Sequence, residues 1–285
     1  MKLRLLFAFI ALSLVACSSD DSSTGKDPSE NPGEKKLREI IQTEFNDSGS
    51  VKQTVKIQFD DKDRALAQFG YDGTGTLISK KEYAYNTAGL LETMTAFTVQ
   101  NDVASPDYSY VLTYDSNGRV ITRTDSGAMA SSTTYAYNEN NTIGVIRTAG
   151  AVTDFATYYL NTGGQLFKKT TESETEQLTY TGSNILKYTN SSLTSVFAYD
   201  SENAPKGQQH NAVINLFKGN MVNAMLIEGL NAIDLGSTQY TIKRTDNTNV
   251  YDYEYQFDND KYPVKVRCFK NKSSIPFSIR EVYYK

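Results

Sequence analysis

Few residues in this chain are equipped for chemistry. His210 is the only histidine, and it stands among Gln208, Gln209 and Asn211 in a polar connection. A serine-histidine-aspartate relay would have to use it, yet the Gly-x-Ser-x-Gly turn that presents a nucleophile is missing. A zinc site needs three or four histidine, cysteine or carboxylate ligands; one histidine with one internal cysteine, Cys268, does not supply the usual sets. The glycines between 70 and 75 lie in a hairpin turn and open no helix, so no phosphate loop forms there. Carboxylates offer more. Asp252 with Glu254, or Asp258 with Asp260, share a strand face at roughly 7 Å, a separation within reach of glycoside hydrolysis. The favoured reading of the same residues is solvated charges on a wet face. Asp258-Asn259-Asp260 also carries hard oxygen ligands, without the spacing of a complete calcium loop. The expectation is a protein without enzyme activity, cofactor or metal.

A second kind of chemistry lies at the N-terminus. Lys2 and Arg4 precede an apolar run from Leu5 to Val15, interrupted only by Ser13, too short to span a bilayer and the right length for a signal-peptide core. Leu14-Val15-Ala16-Cys17 then resembles the bacterial lipobox, in which the peptide is cut before the cysteine and that cysteine is lipidated. The alternative is an ordinary secretory signal whose cut site happens to precede a cysteine. Residues 1–16 are accordingly expected to be a signal peptide and 17–36 a lipidated flexible tether, since this Ser-, Asp-, Pro- and Gly-rich stretch has almost no apolar surface to bury. Ser18-Ser19-Asp20-Asp21 resembles the acidic export signals that send Bacteroidetes lipoproteins to the outer face of the outer membrane; a solvated spacer is the other reading. The expected location is the outer membrane, lipid-anchored and surface-exposed, with the periplasmic face as the alternative.

The elements that carry the rest are strands. The chain has 285 residues, 20 Tyr and 13 Phe but no Trp, and a net charge of -4. Abundant Thr and Tyr favour β structure. Scattered Lys and Arg leave no footprint for nucleic acid. With only Cys17 and Cys268, stability must come from burial and strand pairing rather than a disulfide framework. The organising stretch is Tyr114-Asp115-Ser116-Asn117-Gly118-Arg119-Val120: an aromatic closes an alternating run, Asp or Asn follows, then Gly, then a new run. That is a strand, a tight turn and a returning strand. Looser copies recur about every 20 to 30 residues, the range of repeat architectures. Their turn residues include Asp72, Gly89, Asp115, Gly118, Asn138, Asp200 and Asp258.

Tyr-Asp-x-x-Gly-Arg-Val resembles the YD or RHS-type repeat, which occurs in uncharacterised surface lipoproteins of Bacteroidetes; the resemblance covers about residues 51–200 and returns near the C-terminus. In large members the repeats spiral into a shell around a toxin, but this chain is too short for that. The expected fold is mostly β: an antiparallel meander of repeated hairpins forming a long curved or partly closed sheet over a single domain, residues 37–285. One short helical insertion falls at about 208–230, within an interruption running to 234, where Val213, Phe217, Met221 and Met225 recur at four-residue steps. It is expected to plug the sheet or to act as a lid. Residues 35–45 suit a brief helix or a first strand, and residues 279–284 an edge strand whose charges discourage pairing.

In residues 250–257, Tyr251, Tyr253, Tyr255 and Phe257 line one face and Asp252, Glu254 and Gln256 the other. Cys268 falls in phase with Val264 and Val266, as a buried thiol. The sequence favours a non-catalytic binding or scaffold module whose tyrosine-rich face stacks on a glycan, peptide or partner subunit. A glycan-processing or glycan-binding accessory protein using the carboxylates, and a lipid carrier with a helix-capped cavity, are the alternatives. Cys17→Ala is expected to release the protein from membranes. An unchanged membrane fraction, with no fatty-acid label on the wild type, contradicts the lipid anchor.

Overall fold

The computed structural model describes residues 35–127, 130–200, 221–228 and 240–285. Its strands are β1 (Leu37–Phe45), β2 (Val51–Phe59), β3 (Ala65–Asp72), β4 (Leu77–Tyr85), β5 (Leu91–Gln100), β6 (Val103–Tyr114), β7 (Val120–Gly127), β8 (Ser131–Asn138) and β9 (Thr142–Ala149). They continue with β10 (Val152–Leu160), β11 (Leu166–Thr171), β12 (Thr175–Thr181), β13 (Asn184–Thr189), β14 (Thr194–Tyr199), β15 (Thr241–Asp246), β16 (Asn249–Phe257), β17 (Pro263–Lys270) and β18 (Pro276–Tyr284). A helix, α1 (Met221–Glu228), falls between β14 and β15.

Every strand pairs antiparallel with its neighbours in sequence, and β1 pairs with both β2 and β18. The 18-stranded sheet therefore closes into an up-and-down barrel, which removes both edges. Two expectations change. The partly closed sheet is fully closed, and residues 279–284 are no edge: Ile279 stands opposite Thr43 of β1 on one side and Arg267 of β17 on the other. Residues 37–45 form a strand and not a helix, because their backbone groups find partners on two sides. Of the helical insertion, α1 is described; His210, Val213 and Phe217 lie outside the described residues, as does Cys17.

Most Tyr-Asp-x-x-Gly copies form turns after even-numbered strands, which in this meander gather at one end of the barrel; Tyr71-Asp72-x-x-Gly75 instead forms the turn after β3, at the other end. At the best copy the Asp115 N–H donates to Arg119 O at 2.9 Å and the Gly118 N–H to Asp115 O at 3.0 Å. Tyr114 then pairs with Val120 after a one-residue shift in register. This is the three-residue hairpin loop ending in a left-handed residue, and Gly118 is that residue, at φ +72°. Gly89 repeats it at φ +77°, while Asp63 and Lys261 hold the same conformation in other copies. The Asp has a separate task. Asp115 Oδ1 accepts from the N–H groups of Asn117 and Arg119, donors that the turn leaves without strand partners. Asp60, Asp72, Asn161 and Asp258 do the same in their turns.

Alternation decides what faces inward. Along β8, Ser131, Thr133 and Tyr135 are buried and Ser132, Thr134 and Ala136 exposed. Leu37, Leu91, Val120, Ile143, Leu166 and Ile185 are each at most 1 % exposed. Each stands at or next to the start of an odd-numbered strand, so the apolar core is thickest at the end where the copies turn. Cys268 is buried in the same wall, as its phase suggested. A β-carbon at Gly118 would meet only Leu90 Cδ1 at 3.7 Å, so strain in a substitution comes from the backbone and not from crowding. Gly118→Val is expected to destabilise the barrel by about 1 kcal/mol or more, measured by chemical denaturation; an unchanged midpoint contradicts this turn.

Candidate functional site

Five tyrosines near the strand ends have a specific use. The hydroxyls of Tyr85, Tyr114, Tyr180, Tyr199 and Tyr284, near the ends of even-numbered strands, donate to the carbonyls of Ala65, Leu91, Leu166, Ile185 and Pro263. In each case the acceptor is at or next to the start of the preceding strand, beyond which its own ladder has stopped. Where Phe257 takes the tyrosine position, Tyr255 supplies the hydroxyl, to Thr241 O at 2.9 Å. The rings fill the core while the hydroxyls give these carbonyls a partner. Burial raises the hydroxyl pKa of Tyr85, Tyr114, Tyr180 and Tyr284. They stay protonated donors over the physiological range. Arginine completes the repeat: Arg119 pairs with Asp115 at 2.6 Å and stacks 4.4 Å from the ring centre of Tyr137 on the next strand. Arg64 does the same with Asp60 and Tyr85.

Helix α1 closes this end from within. Ala224, Met225, Leu226 and Ile227 are buried. Asn223, 1 % exposed, accepts from the Val120 N–H at 3.0 Å and donates to Gly118 O at 2.8 Å. Arg123 donates to Ile227 O at 3.1 Å. The helix is therefore locked to the best repeat copy by hydrogen bonds at both of its halves, which is the arrangement of a plug.

Further along the axis the inner wall turns polar, and its charges are matched. Arg123 pairs with Asp125 at 2.7 Å and stacks on Tyr110, and Ser131 donates to Asp125. Lys169 pairs with Glu176, which also accepts from the Tyr188 hydroxyl. Arg244 pairs with Asp246 at 3.0 Å and stacks on Tyr251. A cavity of about 100 Å³ beside α1 is lined by Lys81, Tyr83, Met94, Tyr108, Tyr110, Arg123 and Ile227. Its walls are too polar for the apolar interior that a lipid carrier requires.

The residues singled out by sequence separate into two groups. Asp72, Gly89, Asp115, Gly118 and Asp258 stand in hairpin turns, Asn138 at the end of β8, and Asp200 just after β14, where its N–H donates to Tyr240 O. The paired carboxylates do not converge on a pocket. Asp252 and Glu254 point outward, with Glu254 3.9 Å from Arg267. Asp258 and Asp260 both bind Lys35, at 2.6 and 2.8 Å. The tyrosine face of β16 also departs from expectation: Tyr251, opposite Arg244, faces the interior, and Tyr240 packs on Tyr255 and Phe257 with centroids at 4.9 and 5.4 Å. Those rings are core and offer no outer stacking platform. The clue missed in the sequence is the hydroxyl: a tyrosine kept where phenylalanine would fill the same space signals a buried acceptor.

The outer wall decides the barrel's solvent. Across one flank the outward rows read Lys265, Glu281, Ile41, Lys56, Phe69, Lys80 and, beside them, Glu254, Arg267, Ile279, Thr43, Thr54. In hydrocarbon, Lys or Arg at mid-height costs about 2–4 kcal/mol each. Strands β11, β13, β14 and β15 have 6 residues each, short of the ~9–11 of a membrane-spanning strand.

No protein-family model matches the chain, and no curated protein matches its sequence. Among solved structures it is similar to a porin-like protein from Bacteroides uniformis, at 13% identity over 87% of this chain and 96% of that one, with a TM-score of 0.46. A porin-like protein from Bacteroides vulgatus is similar at 13% identity over 88% and 99%, with a TM-score of 0.38. At those scores the likeness carries no argument about function, which rests on the residues themselves.

The turn carboxylates make stability depend on pH. Burial opposes ionisation of Asp115, but the N–H and guanidinium of Arg119 and the N–H of Asn117 outweigh it and hold the pKa below 3.8. A carboxylate depressed on folding stabilises the folded state above its unfolded pKa and loses that contribution as pH falls through the folded value. Asn in place of Asp keeps the two N–H contacts and loses the ion pair. Asp115→Asn should therefore melt below wild type at pH 7, with the gap narrowing as pH falls below 3.8; a gap of the same size at pH 7 and in acid contradicts the assignment.

Proposed function

We propose that this chain is a lipid-anchored protein of a Bacteroidetes cell envelope, a YD-type hairpin barrel held in water on a flexible tether and serving as a non-catalytic binding or scaffold module. The single observation that carries this reading is the charge on the outward rows of β16 to β4, which argues against insertion of the barrel and favours the lipobox cysteine as the means of attachment. Signal-peptide anatomy in residues 1–16 and the acidic stretch after Cys17 support an exported, outer-membrane location. The tether joins the barrel at its plugged end, where Lys35 binds Asp258 and Lys285 N–H donates to Lys36 O. The opposite end, with the turns after odd-numbered strands, thus faces away from the anchor.

The non-catalytic assignment rests on where the reactive groups lie. The carboxylates that suggested glycan processing are outward-facing or tied to Lys35, and the inner-wall carboxylates Asp125, Glu176 and Asp246 are paired with Arg123, Lys169 and Arg244. Matched pairs of this kind build a wall; catalysis needs a group held at a shifted pKa and open to a substrate.

The test uses the Cys17→Ala protein. It is expected to stay folded and dispersed in detergent-free buffer and to remain in the aqueous phase on detergent phase separation. Precipitation that only detergent relieves, or partition into the detergent phase, contradicts the reading.

A further inference from the structure

The two flanks of the barrel differ in charge. On β5 to β10 the outward rows contain no charged residue. One row runs Thr93, Val111, Thr124, Ser132, Thr148, Thr153, each opposite the next. The adjacent row runs Thr113, Thr122, Thr134, Ile146, Phe155. The charges that these six strands do carry are elsewhere. Arg123 and Asp125 are in the inner wall, Arg147 and Asp154 pair with each other in the inward phase at 3.4 Å, and Glu92 and Asp107 are the extra residues at shifts in register. Three of the exposed large apolar side chains stand on the same rows: Val111 at 42%, Ile146 at 45% and Phe155 at 53% exposure. Ile146 and Phe155 are directly opposite each other.

We propose that the outer face of β5 to β10 binds an uncharged polysaccharide chain. The inference rests on the reading of the barrel as a water-borne binding module, and it names the ligand class. Hydroxyl groups of Thr and Ser donate and accept, matching sugar hydroxyls, while Val111, Ile146 and Phe155 present apolar surface to the C–H faces of the rings. A face with no charge has no ion to desolvate on binding and no field to attract a charged partner. A bilayer is a poor fit, because these rows lack the apolar band flanked by aromatic girdles.

A second copy of the chain fits less well. Six strands at ~4.8 Å and about seven residues at ~3.4 Å make a face of roughly 29 by 24 Å, on the order of 700 Å². A stable interface buries about 800 Å² per partner, and two convex walls touch only along a strip of that area. A flexible polymer can follow the curvature, laid across the strands along a hydroxyl row about 24 Å long.

The test is affinity electrophoresis of the Cys17→Ala protein through native gels cast with a neutral galactomannan, a neutral β-glucan or starch, against anionic polygalacturonate. At least one neutral polymer is expected to retard the protein, and polygalacturonate is not. Phe155→Glu and Thr134→Lys, both exposed substitutions, are each expected to weaken retention at least tenfold with an unchanged melting curve, while Lys265→Ala on the charged flank leaves it intact. The proposal is overturned by unaltered mobility in every neutral gel, by retention that survives both variants, or by equal retention in polygalacturonate. Self-association abolished by Phe155→Glu in place of glycan binding also overturns it, in favour of a second copy. Failure of the water-borne reading is separate: it appears as detergent dependence before any gel is run.

Discussion

Closure between β1 and β18 is the constraint on which the rest of this structure depends. A meander of hairpins left open would present two rows of unpaired backbone groups, an invitation to pair with other chains. Once the ring is shut, every residue acquires an inside or an outside. The interior then has to be filled at one end by apolar side chains and a helix and, farther along, by charges that cancel. The outside carries Lys, Glu and Thr in its outward rows.

The repeat is the local device that makes a closed ring of this size affordable in polar terms. Tyr supplies ring volume and a hydroxyl for a carbonyl at the preceding strand's start. Asp gathers the turn's N–H groups. Gly, or a residue such as Asp63 that tolerates the left-handed region, reverses the chain, and Arg ties Asp to the following hairpin. Each copy thereby holds itself and its neighbour. This explains why Tyr114 to Val120, the most complete copy, is also the point to which α1 is fastened through Asn223.

Much of this was legible in the residues. The period-two alternation of 51–59 and 250–257 fixes which side chains share a face, and the Asp-x-x-Gly spacing fixes where the chain turns, because both are local. Closure was not legible, since it depends on strand number and tilt summed around the whole ring. Hence Arg280 and Glu281 read as edge protection. In the barrel Arg280 reaches inward to Gln42 and Glu281 outward to Lys265. The tyrosines of β16 misled for the same reason: alternation separates two faces but does not say which becomes the interior. Asp252 and Glu254 do share a strand face, whereas Asp258 and Asp260, expected on one, lie in the turn after β16; the partners Arg267 and Lys35, remote in sequence, show in the structure alone.

The central claim is a ring shut by its first and last strands, and cross-linking tests it most directly. Thr43 and Ile279 are outward-facing partners across that seam, at the separation of paired strand residues, about 4.5–5.5 Å between Cα atoms, which a disulfide can bridge. A protein carrying Thr43→Cys and Ile279→Cys, in the Cys17→Ala background, is expected to form an intramolecular disulfide under mild oxidation while folded. The bond would appear as faster migration on a non-reducing gel. Absence of that species in folded protein, or cross-links only between chains, would contradict a closed barrel.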